Sequence, residues 1–206
     1  MALSKVDEIV DQYKEDLPMM SDELERCKNL HDEYHELSRV LNSVMLFVLM
    51  TMIDSMVASK YFILADKEYD RRFMRGKLMV ILNEGFKKMY GFDEKTHKKS
   101  EWDKLKPVLK YFPEQIHYQY QELTKLLEQH ATTSTWWKEE RNLETHLDAE
   151  KLYHSRQEEV IESKVMMDSM MLFNTLQAVN LFLTNMHGCL TNHLIEMYRR
   201  GELKEE

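Results

Sequence analysis

Val44-Met45-Leu46-Phe47-Val48-Leu49-Met50-Thr51-Met52-Ile53 is the most apolar stretch of the chain, and its reading decides the fold. A membrane-spanning helix needs about 20 apolar residues in a row. This run is about half that length, and Asp54, Ser55, Ser59 and Lys60 follow it closely. It therefore reads as the middle of a buried helix in a protein that does not cross a membrane.

Working outward, the apolar spacing through Leu30, Leu37, Val40, Leu41, Val44 and Phe47 extends this helix from a cap at Asp22, with Glu25 three residues on, toward Leu64. Before it, Ser4 caps a short amphipathic helix that ends near Pro18. After it, a third helix spans about Lys67 to Tyr90 and stops at Gly91. Asp93 to Ser100 reads as a polar loop, and shorter helices follow over Glu101 to Tyr111 and Glu114 to His130. The hydroxyls of Thr132 to Thr135 break the chain and cap a helix beginning at Trp136. Ser155-Arg156-Gln157-Glu158 has the capping-box pattern and opens the last helix, apolar nearly all round from Val160 to Met186, as a helix in the middle of a bundle is.

Composition agrees. Five glycines and three prolines in 206 residues favour long helices over many short strands. The expected fold is an all-α, up-and-down bundle of about six or seven helices in one domain over residues 1–206, with a helical extension over 1–20 and the bundle over 21–200. The sixteen methionines, among them Met166, Met167, Met170 and Met171, read as adaptable core filler. Cys27 and Cys189 belong to no metal-binding pattern and suit a reducing compartment. Acidic residues stand where a signal peptide would be basic and then apolar, so a cytoplasmic location is expected.

The net charge of -8 is unevenly spread. Residues 1–35 hold ten acids against four bases, whereas residues 95–110 hold six lysines against two acids, which reads as a solvated face or as a patch that steers an anionic polymer. Arg71, Arg72 and Arg75 form a second basic cluster, with Glu68 and Asp70 beside them as ion-pair partners.

Several chemistries lack their residues. His31 and His35 share a helical face, but Glu33 does not stand where a HExxH metal motif needs it. Glu114 and His117 have the Glu-x-x-His spacing of di-iron bundles, whereas the second copy, Glu94 and His97, falls in the predicted loop. No P-loop and no GxGxxG occurs. No cofactor or metal is expected.

One motif remains: Arg141-Asn142-Leu143-Glu144-Thr145-His146. Asn142 and His146 are four apart on one helical face, while Arg141 lies about 140° around the helix from His146. The stretch resembles the active-site motif of the HEPN superfamily, helical bundles that include many ribonuclease toxins and defence proteins. The resemblance implies a homodimer with both motifs in one cleft and a metal-independent endoribonuclease. Arg141 would hold the phosphate, Asn142 would orient the histidine or the phosphate, His146 would move protons, and Lys138 would add a backbone contact. It also implies RNA as substrate and an antitoxin or nucleotidyltransferase-like protein as partner. Against this stands plain surface chemistry, with Arg141 paired to Glu140 or Glu144. Glu139, Glu140, Glu144, Asp148 and Glu150 oppose RNA unless they turn outward, which keeps open a non-catalytic bundle that binds a protein or a nucleotide.

Overall fold

The computed structural model describes residues 3–27, 33–133, 137, 141–142, 150–151, 153–154 and 162–201. Among these, the chain is an all-α bundle without a strand. Its elements are α1 (Leu3–Cys27), α2 (Glu33–Leu64), α3 (Glu68–Met89), α4 (Glu94–His97), a 3-10 helix (Asp103–Tyr111), α5 (Glu114–Thr133) and α6 (Glu162–Arg199).

The run from Val44 to Ile53 lies in the middle of α2, which packs against α1, α3, α6 and the 3-10 helix. Val44, Val48 and Met52 have no exposed surface. Each such side chain contributes about 1.5–3 kcal/mol on leaving water. By length and composition alone α2 is apolar enough to cross a membrane, but this stripe is covered by the chain's own helices.

α1 lies antiparallel to α2: Lys60 Nζ meets Asp7 Oδ1 at 2.5 Å near one end, and Ser38 Oγ donates to Glu23 at 3.4 Å near the other. The helix runs through Pro18 rather than ending there. Proline interrupts a helix by removing one backbone donor and crowding the preceding turn. Here Val10 and Met20, on either side of it, are both buried, so packing holds the helix across the defect. α1 extends to Cys27, so Asp22 lies inside it instead of capping α2.

α3 keeps its predicted limits. Gly91, at φ +90°, donates its N–H to Phe86 O and ends the helix. A β-carbon there would stand 2.5 Å from His97 N, so only glycine fits the turn. The stretch expected as a loop contains α4, because Asp93 accepts from Thr96 N while the Thr96 hydroxyl accepts from Asp93 N. Trp102 then stacks on Tyr120 of α5 with ring centres 4.7 Å apart and donates to Thr124 Oγ1, fixing the 3-10 helix against α5. α6 packs on α2, α3 and α5, the central place its sequence predicts, although Met167, Met170 and Leu181 are exposed. Its proposed capping box at Ser155–Glu158 lies outside the described residues.

Candidate functional site

The motif segment is anchored by Trp137. Its ring is fully buried, meets Phe86 of α3 edge-on with centres 6.0 Å apart, and donates from Nε1 to Asp168 Oδ2 of α6 at 2.6 Å. Arg141 lies four residues on in the sequence, and both residues meet α3, Trp137 at Phe86 and Arg141 at Glu84.

At that point Arg141 Nε meets Glu84 Oε1 at 2.7 Å, and Nη1 donates to Asn142 Oδ1 at 3.1 Å. Asn83, only 2% exposed, donates from Nδ2 to the same Glu84 oxygen at 3.1 Å. Beside them Gly85 lets α3 come close to α2, for a β-carbon on it would stand 2.6 Å from Thr51 Cγ2. The carboxylate beside Arg141 thus sits on a helix whose approach to α2 is set by the fit of Gly85 against the Thr51 side chain.

The result is a guanidinium in contact with Glu84 and Asn142 on two sides, with 26% of its side chain still exposed. A planar cation so positioned suits a phosphate or carboxylate. Glu84 of α3 is thus a partner of Arg141 that lies far from it in sequence. Asn142 gives its carbonyl oxygen to Arg141. Lys138 and His146 lie outside the described residues, as do Glu139, Glu140, Glu144 and Asp148, while Glu150 is exposed.

Glu84, Asn83 and Trp137 are absent from the sequence reading. A signal for the first two exists: Asn83-Glu84-Gly85 interrupts Leu78-Met79-Val80-Ile81-Leu82 in the middle of an apolar helix. In the other basic cluster, the pairing expected with Glu68 is present. Arg72 is paired with Glu68, Arg71 donates to Ala65 O at 2.9 Å, and Arg75 is buried. No group of three or more histidine, cysteine, aspartate or glutamate side chains able to hold a metal occurs among the described residues. His117 lies 3.2 Å from Phe112 O, and His97 contacts Tyr90 O at 2.9 Å, so both are engaged by backbone.

Two clefts lie elsewhere, sharing Tyr34 and Leu190. The larger, of 780 Å³ between α1, α2 and α6, includes His187, whose Nε2 is enclosed without a hydrogen-bond partner among the described residues. Burial pushes this imidazole below its usual value, with Glu23 opposing the shift. A histidine depressed in this way takes its proton more readily in the unfolded chain. Stability is therefore expected to fall as pH drops below about 6.5 and to level off beneath the folded value. Urea midpoints at pH 7.5 and 5.5 check this: the wild type should lose more than His187→Gln, and equal losses would clear His187 of the effect.

Comparison of the chain with protein-family models, with curated proteins and with solved structures returned no match.

Proposed function

We propose that this protein is a metal-independent endoribonuclease of the HEPN type, acting as a homodimer with both motifs in one cleft. One observation carries the reading: Arg141 is held by Glu84 and Asn142 in a defined pose and remains partly exposed. An arginine that recognises a phosphate works best when its rotamers are already restricted, because less entropy is lost on binding.

In the reaction, the 2'-hydroxyl oxygen attacks the adjacent phosphorus and the bond to the 5' oxygen breaks, leaving a 2',3'-cyclic phosphate and a free 5'-hydroxyl. His146 takes the proton from the 2'-hydroxyl and supplies one to the departing 5' oxygen, a task that suits an imidazole. Arg141 neutralises the charge that gathers on the phosphoryl oxygens. Asn142, bonded to that guanidinium, holds it in place.

A second reading draws on the same ion pair. If Glu84 and Arg141 serve only to dock the motif segment on α3, the protein is a non-catalytic bundle that binds a protein or nucleotide partner. The separating experiment is incubation of a structured RNA in EDTA with wild type and His146→Ala, both checked for folding and dimerisation. Cleavage that yields cyclic phosphate ends and is lost in the variant supports the nuclease. An inert, folded wild-type dimer would end that reading in favour of the binding module.

A further inference from the structure

The outer face of α3 is built unlike the rest of the surface. At 100° per residue, Tyr69, Phe73, Lys77, Glu84 and Lys87 fall within one narrow stripe. The buried residues Leu78, Leu82, Phe86 and Met89 occupy the opposite side. At one end Tyr69 is 68% exposed and Phe73 is 41% exposed, and Lys77 Nζ sits 5.1 Å from the centre of the Phe73 ring. Near the other end is Glu84, engaged with Arg141. At the other end Lys87 is exposed. The chain then turns at Gly91 into α4, tied back by the hydrogen bond from Glu101 N to Lys88 O, which brings the exposed Lys95 and Lys99 to the same corner.

The charge of this region runs against that of the protein. Residues 87–110 hold eight lysines against four acids in a chain whose net charge is -8. Two acids of α3 are already committed, Glu68 to Arg72 and Glu84 to Arg141, so they oppose an approaching anion less. Exposed rings on which bases stack, interleaved with lysines that follow a phosphate chain, are the two ingredients of single-strand recognition.

We infer that the outer face of α3, from Tyr69 and Phe73 past Arg141 to the lysine corner, is a track for single-stranded nucleic acid. The strand's bases stack at the aromatic end and its phosphates lie along the lysines. The stripe from Tyr69 to Lys87 is about 27 Å long at 1.5 Å per residue, room for several nucleotides. A polyanion with stacking bases matches both ends of the stripe, the exposed rings and the exposed lysines. The track deepens the nuclease reading by giving the substrate a path to Arg141, but it rests on its own residues and is tested by binding alone.

The probes are twelve-nucleotide strands of 2'-O-methyl RNA and of DNA, neither with a 2'-hydroxyl to attack, and a 2'-O-methyl RNA duplex. Binding to the full-length protein is followed by fluorescence anisotropy. Both single strands should bind more tightly than the duplex. Tyr69→Ala with Phe73→Ala should weaken them about tenfold or more. Lys87→Glu with Lys99→Glu should flatten the dependence of log affinity on log salt by roughly two units. Thermal midpoints of both double variants are measured beside the wild type, and binding is read at a temperature where each is folded, so lost binding is told apart from lost folding. Unchanged single-strand affinity in either double variant overturns the track, as does a preference for the duplex. Loss of the dimer in the aromatic variant with strand binding intact would also overturn it, assigning the face to a second copy. RNA cleavage by the wild type together with unaffected ridge variants removes the track and leaves the nuclease. Strand binding that depends on the ridge without any cleavage keeps the track and removes the nuclease.

Discussion

Arg141→Ala is expected to lower kcat/KM for RNA cleavage by about two to three orders of magnitude, the usual loss when one preplaced donor to a developing oxyanion is removed. Thermal stability should hardly change. The Arg141–Glu84 pair is partly solvent-exposed, at 26% and 44% of the two side chains, and such pairs contribute about 0–1 kcal/mol. A docking arginine predicts the reverse, a marked stability loss with binding or activity following only as folding fails. Arg141→Lys sharpens the contrast. It keeps the charge but not the planar fork that reaches Glu84 and Asn142 together, so most of the rate should still be lost. Recovery of full cleavage by lysine would show that charge alone matters and that the fixed pose is irrelevant.

The helical class was legible because its signal is repeated along every segment. α2, α3 and α6 each carry apolar residues at helical spacing over five or more turns, and Gly91 ends α3 by a backbone conformation that few other residues adopt. What failed was local punctuation overruled by contacts distant in sequence. Pro18 is a stop signal in isolation, yet α1 continues through it, with Val10 and Met20 buried on either side. Asp93 to Ser100 looked like loop because its capping box pairs Asp with Thr, a reversal of the usual order in which the hydroxyl comes first and the acid third.

The candidate site was legible only in its local half. Arg141 and Asn142 are adjacent, and their mutual hydrogen bond follows from that adjacency. The ion pair does not: Glu84 stands 57 residues earlier, while Glu140 and Glu144 offered nearer carboxylates. Helical spacing ranks partners on one helix and is silent about which helix lies opposite. That choice is made by Trp137, which no charge pattern reveals, through its fit against Phe86 and its hydrogen bond to Asp168.

Trp137→Ala is accordingly expected to be the most damaging single change to the fold. Truncating a fully buried tryptophan removes its apolar burial and leaves a cavity, about 3–5 kcal/mol in all. At about 2–4 °C per kcal/mol for a chain of this size, the thermal midpoint should drop by about 6–20 °C. The side chain also holds Arg141 against α3, so any RNA cleavage or strand binding should decline even well below the new midpoint. Trp137→Phe separates the two roles. It keeps a ring against Phe86 but leaves Asp168 without the indole donor, which should cost about 1–3 kcal/mol and preserve most activity. A fall of less than about 1 kcal/mol in Trp137→Ala would contradict the burial. A stable Trp137→Ala variant that retained full activity would mean that Arg141 is positioned by Glu84 without help from the indole.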